Sequence, residues 1–206
     1  MDRRLAREIS ILVAILAGLL WWLTGWLRPI VGYGIGLAIY WVLILLPLTL
    51  WKLGPAGFRQ ILVPGRPGPG LLLVAALPVI ALWAAALLTG AFAALPALVI
   101  GAVVIGGIVN GTLEEAFWRG ALIDRTDRPN QIGAALLLFT GWHVALLAAR
   151  GISLTGGALG LIGGAFILGL ILMACRLRTG TAGFGALIHA GFNIPAFAML
   201  AADNIG

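Results

Sequence analysis

Seven apolar stretches, each about as long as a membrane-spanning helix, follow one another along this chain of 206 residues. A helix needs roughly 20 residues to cross the hydrocarbon layer of a bilayer. Lipid offers the backbone no hydrogen-bonding partners, so stretches of this length fold as helices. The stretches run approximately over Ile9–Leu27, Ile30–Trp51, Leu71–Leu88, Leu95–Ile123, Gln131–Ala149, Ser153–Cys175 and Thr181–Ala201. The sequence therefore predicts an all-α protein, a polytopic transmembrane helix bundle of about seven spans.

Composition supports this interpretation and limits the partners. Hydrophobic residues make up 62% of the chain and charged residues only 10%, whereas about a quarter of an ordinary soluble domain is charged. The formal net charge is +6, but the basic residues form no stripe with interleaved aromatic residues. We therefore expect the lipid bilayer as a partner and no nucleic acid.

We expect a single transmembrane domain over residues 1–206. Within it, residues 1–94 are interpreted as peripheral N-terminal helices and a loop, and residues 95–201 as the core. The proline-rich stretch Leu53–Gly70 is predicted to be the long loop.

The basic residues between the spans predict the orientation. With the N-terminus inside, the outer loops hold only Arg28 and Arg150. The inner loops then hold Arg3, Arg4, Arg7, Lys52, Arg59, Arg66, Arg125, Arg128, Arg176 and Arg178. Because inner loops of membrane proteins are enriched in Lys and Arg, we predict a multi-pass protein of the cell (cytoplasmic) membrane. Its N-terminus would be cytoplasmic and its C-terminus outside.

Glycines recur four residues apart in two of the predicted helices. The pairs are Gly107 with Gly111, Gly156 with Gly160, and Gly160 with Gly164. Small residues at this spacing let helix backbones approach closely in lipid. All three pairs are therefore predicted to serve helix packing.

A few polar side chains lie inside the apolar stretches, where burial of an unpaired charge is costly. The fourth stretch contains Glu114, Glu115 and Arg119. Glu115 and Arg119 are one turn apart and are expected to pair. Glu114 points about 100° away from Glu115 and must find other partners.

The remaining intramembrane polar residues lie at a matching depth. The two histidines of the chain, His143 and His189, occur in the fifth and seventh stretches, and Asn193 follows His189 by one turn. Counted from the inner helix ends, these residues and Glu114 lie roughly 12 to 18 Å deep. A common depth on three helices predicts one site built from a carboxylate, two imidazoles and a carboxamide.

Three common hydrolytic mechanisms, those of serine, aspartyl and His-Glu-x-x-His zinc enzymes, lack the necessary residues in this chain. The two serines, Ser10 and Ser153, lie near helix ends, so a buried serine nucleophile is absent. All four aspartates lie in predicted loops or at the termini, which excludes an aspartyl dyad. The histidines are too far apart for a His-Glu-x-x-His zinc motif.

Three motifs occur in order on successive core helices. They are Glu114-Glu115-Ala116-Phe117-Trp118-Arg119, Phe139-Thr140-Gly141-Trp142-His143 and His189-Ala190-Gly191-Phe192-Asn193, which match EExxxR, FxxxH and HxxxN. Together they resemble the CPBP family, the CAAX proteases and bacteriocin-processing enzymes, also called the Abi family and including Rce1-like glutamic endopeptidases.

This resemblance implies an intramembrane endopeptidase that hydrolyses a peptide bond of a membrane-associated peptide or protein. Glu114 would activate water with the help of His143, and His189 and Asn193 would hold the oxyanion. The supporting residues would be Glu115, Arg119 and Phe139.

The cofactor question stays open at this point. We expect no cofactor, but Glu114, His143 and His189 could also form a zinc site of two histidines and one carboxylate. Two other functions are also kept. One is a non-proteolytic CPBP-like scaffold or immunity protein, and the other is a proton-coupled transporter, because buried Glu and His can relay protons.

Overall fold

The computed structural model describes residues 3–123 and 126–205, with side chains described from Arg7 onward. Eight α-helices and two π-helical segments make up the described part, and it contains no strand. The α-helices are α1 Arg3–Trp26, α2 Pro29–Ile39, α3 Leu46–Ile61, α4 Pro69–Leu88, α5 Ala97–Glu114, α6 Pro129–Leu146, α7 Gly157–Thr179 and α8 Gly183–Asn204. The first π segment, Tyr40–Leu45, joins α2 to α3, and the second, Glu115–Ala121, continues α5. The predicted all-α class is confirmed.

Each of the seven predicted stretches contains a helix. In the described residues, six helical runs are long and apolar enough to cross a membrane by length and composition. The exception is α6, which has 18 residues and is not among those six. The protein is thus a multi-pass helical membrane protein, and a crossing by α6 stays a prediction. Of the basic residues that predicted the orientation, Arg125 and the side chains of Arg3 and Arg4 lie outside the described part.

The predicted long loop over Leu53–Gly70 is wrong in its first half. The helical run continues to Ile61 through a kink, where Gly54 has φ 65° and Pro55 follows. Glycine adopts this left-handed conformation at little steric cost. Proline then fits the first turn of the resumed helix, where no intrahelical N–H bond is needed. The loop is therefore confined to the residues between α3 and α4.

The connection between α6 and α7 is longer than predicted. Helix α6 ends at Leu146 rather than Ala149, and α7 begins at Gly157 rather than Ser153. Gly156 and Gly157 have φ of 76° and 62°, outside the range of a regular right-handed α-helix. As a result, His143 lies in the last turn of α6, close to this connection.

Helices α5 and α8 share the most extensive interface between helices. A Cβ atom at Gly111 would lie 2.4 Å from the Ala190 nitrogen, and one at Gly107 would lie 3.0 Å from the Ile194 nitrogen. These glycines let the two backbones meet, so the predicted packing role is confirmed for this pair. The close approach holds the helix of Glu114 against the helix of His189 and Asn193.

Replacing Gly111 with alanine is expected to destabilise the fold by about 1–3 kcal/mol, because the added methyl group would overlap the α8 backbone. Gly101 of the same helix provides the control, because a Cβ atom there meets nothing within 4 Å. Unfolding in detergent micelles, followed by circular dichroism, compares Gly111→Ala with Gly101→Ala. Equal stability of the two variants would show that this helix contact is looser than described.

Candidate active site

The second π segment begins directly after Glu114, at the point where α5 ends. Single π-helical turns within α-helices occur frequently at functional sites. Here Glu114 and Glu115 contact opposite nitrogens of the His189 ring, Nε2 and Nδ1 respectively. Both are almost fully buried, with 1% and 0% of their surface exposed.

Glu114 has one engaged oxygen and one free oxygen. The indole N–H of Trp142 donates to its Oε1 at 2.9 Å. Its Oε2 has no hydrogen-bond partner, and the closest charged contact is His189 Nε2 at 3.7 Å. A buried carboxylate oxygen without a protein donor is costly. Such an oxygen can bind a water molecule or a substrate group.

Glu115 lies at the centre of a buried charge cluster. Its Oε1 accepts from Arg119 at 2.9 Å and lies 3.1 Å from Nδ1 of His189. The predicted ion pair between Glu115 and Arg119 is therefore present, with both side chains fully buried. The Arg119 guanidinium also lies 3.9 Å from the centre of the Phe139 ring, a cation–π contact. This cluster fixes the Nδ1 edge of the His189 ring.

His143 is oriented by the backbone of its own helix. Its Nδ1 lies 2.9 Å from the carbonyl oxygen of Phe139. A carbonyl oxygen only accepts, so Nδ1 carries the proton and the neutral ring keeps a lone pair on Nε2. The Phe139 ring packs edge-on against the imidazole with ring centres 4.9 Å apart. Phe139 thus contacts His143 from one turn earlier on the same helix.

The polar residues predicted to act in catalysis line one cavity. The cavity has a volume of about 260 Å³, and its walls include Glu114, His143, His189 and Asn193. Asn193 is only 6% exposed, and its Nδ2 has no hydrogen-bond partner. Glu115 and Arg119 do not line the cavity, and they contact it only through His189 and Phe139. The rest of the wall is predominantly apolar.

Several lining residues were not identified from the sequence. Asn110 lies one turn before Glu114, and its Oδ1 accepts from Trp41 Nε1 at 2.6 Å. Tyr33 also lines the cavity, and Tyr40 stacks on Trp142 with ring centres 3.8 Å apart. The spacing of Asn110 from Glu114 was a usable signal. The aromatic residues gave none, because they meet the site only through contacts between distant parts of the chain.

The donor atoms do not form a three-ligand metal site. Among the described residues, no group of three His, Cys, Asp or Glu side chains is arranged to hold a metal ion. The Nδ1 atoms of His143 and His189 face a carbonyl oxygen and a carboxylate. These contacts leave Nε2 of both histidines available, as in metal-binding histidines, and the metal-free site stays a prediction.

Fold and site together define a class, that of multi-pass membrane proteins with a buried glutamate, two histidines and an asparagine around one apolar cavity. A family model described as type II CAAX prenyl endopeptidase Rce1-like matches residues 96–195. The matched segment contains all three motifs. Residues 96–195 are thus similar to this family of proteases, and the resemblance predicted from the three motifs is confirmed over that segment. Comparisons with curated proteins and with solved structures return no match.

Proposed function

We propose that this protein is an intramembrane endopeptidase in which Glu114 activates the water that attacks a peptide bond. The observation that carries the proposal is the Oε2 atom of Glu114, which is buried and has no hydrogen-bond partner, on a residue that lines one cavity with His143 and Asn193. A carboxylate oxygen that accepts no hydrogen bond from the protein can accept a proton from a bound water.

His143 would hold the same water from a second side. With the proton on Nδ1, its Nε2 accepts a hydrogen bond. The water then donates one hydrogen to Glu114 and the other to His143, and its lone pair points towards the substrate carbonyl carbon. As the C–O bond forms, the proton moves to Glu114, which later delivers it to the leaving amine nitrogen.

Two donors would stabilise the oxyanion of the tetrahedral intermediate. Asn193 offers its unpartnered Nδ2. His189 directs Nδ1 to Glu115 at 3.1 Å, so its Nε2 can donate only if the ring carries both protons. Glu115 stabilises that imidazolium. The loss of one oxyanion donor typically costs about 100- to 1,000-fold in rate.

The substrate, and thus the binding partner of the site, would be a membrane-associated peptide or protein. We propose that the chain lies in the cytoplasmic membrane with its N-terminus inside and its C-terminus outside. The single domain of 1–206 would have its catalytic core at 95–201. The basic loop residues support this orientation.

The test uses purified protein in liposomes with a library of peptides that carry apolar segments. Mass spectrometry of the products should find cleavage by the native protein and none by His143→Ala. If the protein is instead a non-proteolytic scaffold, it should cleave none of the peptides, and the Glu114→Gln variant should keep the native protein's effect in cells. A proton-coupled transporter would instead show proton flux that depends on Glu114.

Chelation distinguishes the metal-free mechanism from a zinc mechanism. We expect 1,10-phenanthroline and EDTA to leave the cleavage rate unchanged, because among the described residues no three His, Cys, Asp or Glu side chains are arranged to hold a metal ion. Activity that is lost on chelation and returns with added zinc would overturn the metal-free mechanism. A serine-protease inhibitor is the matched negative control.

A further inference from the structure

The glycine pairs that look alike in sequence have different surroundings in the structure. Gly107 and Gly111 meet the backbone of α8, as described above. Gly160 and Gly164 instead line the cavity of Glu114. A Cβ atom at Gly164 would meet nothing within 4 Å, and one at Gly160 would meet only its neighbour Thr155. The predicted helix-packing role is therefore wrong for Gly160 and Gly164.

The glycines belong to an apolar face of α7 that is continuous with the polar end of the cavity. Leu161, Ala165 and Leu168 share this face. Two unpartnered atoms from buried side chains, Glu114 Oε2 and Asn193 Nδ2, belong to residues that line the same space. A cavity that combines free polar atoms with an apolar wall fits a group that is itself part polar and part apolar.

We propose that Gly160 and Gly164 form the floor of a subsite that accepts a bulky apolar side chain beside the scissile peptide bond. This inference rests on the proposed function, because it assigns the polar end of the cavity to the bond that is cleaved. The peptide carbonyl would lie at Glu114 and Asn193. The side chain of an adjacent substrate residue would lie against α7, in the space that is left open beside Gly164.

The size of the cavity agrees with such an occupant. An apolar cavity of about 150 Å³ accepts a molecule the size of benzene, and this one is about 260 Å³. A phenylalanine or leucine side chain therefore fits together with the peptide group to which it is attached. A leucine side chain placed at position 164 would fill much of the same space.

The test compares Gly164→Leu with Gly163→Leu. Gly163 lies on the same helix and does not line the cavity, and a Cβ atom there meets nothing within 4 Å. The probe is a set of fluorogenic peptides that differ only in one residue beside the cleaved bond, which is Ala, Leu or Phe. We expect Gly164→Leu to lower kcat/KM for the Leu and Phe peptides about 10- to 200-fold relative to the Ala peptide, the range for steric discrimination in an apolar pocket. Gly163→Leu should keep the native preference.

The outcomes distinguish a failure of the proposed subsite from a failure of the proposed peptidase function. If the native protein cleaves with dependence on Glu114 but Gly164→Leu keeps the native side-chain preference, the subsite is overturned and the protease remains. If Gly163→Leu shifts the preference equally, the effect belongs to helix α7 as a whole and the subsite is also overturned. If the native protein cleaves none of the peptides, or cleaves them without Glu114, the proposed function itself fails. Gly164→Ala, a smaller change, covers the case in which Gly164→Leu does not fold.

Discussion

Glu114→Gln is expected to reduce peptide cleavage by about 100- to 10,000-fold, the usual contribution of a general base, while the protein still inserts and folds. The reason lies in the two oxygens of Glu114. The amide oxygen of glutamine can still accept from Trp142, as Oε1 does at 2.9 Å. The amide cannot take a proton from water, so the substitution removes the basicity and keeps the shape.

A rate assay and a stability assay on the same sample check this prediction. The unfolding midpoint of Glu114→Gln in micelles should equal or exceed the native value, because a buried carboxylate with a free oxygen is replaced by a neutral amide. Glu114→Asp is the companion variant, since it keeps the carboxylate but withdraws it by one methylene group. Glu114→Gln with native activity would remove Glu114 from the mechanism, whatever its stability.

The meeting of the polar residues could be predicted because the membrane restricts where they can go. Glu114, His143 and His189 lie in apolar helices at a matching depth, and a buried charge needs partners. The one-turn spacing from Glu115 to Arg119 predicted their pairing in the same way. These predictions needed only helix geometry and the cost of burial, both of which are local properties.

The arrangement of hydrogen bonds inside the site could not be predicted on that basis. His189 lies between Glu115 and Glu114 because α8 packs against α5 at Gly107 and Gly111, and sequence spacing does not give that register. The π segment after Glu114 also turns Arg119 relative to an ordinary helix. The contact of Trp41 with Asn110 joins residues 69 positions apart, and no local pattern indicates it.

Removing the guanidinium of Arg119 is expected to have the largest effect on stability. Arg119→Leu should destabilise the protein by about 3–5 kcal/mol, the typical cost of breaking a buried ion pair from one side. Glu115 would stay fully buried and keep its contact with His189, and the contact of the guanidinium with the Phe139 ring would be lost. Arg178→Leu is the matched control, because Arg178 is an exposed arginine near the end of α7. It should change stability by no more than about 0.5 kcal/mol.

A double-mutant cycle then separates the charge from the packing. If the loss in Arg119→Leu comes from the unpaired carboxylate of Glu115, adding Glu115→Gln should return stability, with a coupling energy of about 0.5–3 kcal/mol between the two sites. If it comes from lost packing against Phe139, the two effects should simply add.

The kcat values of the same variants provide a second test. Glu115 supports the doubly protonated form of His189, so Glu115→Gln should lower kcat even in the restored double variant. A double variant that regains both stability and full kcat would show that His189 does not need the Glu115 carboxylate. Asn193 would then remain as the proposed oxyanion donor.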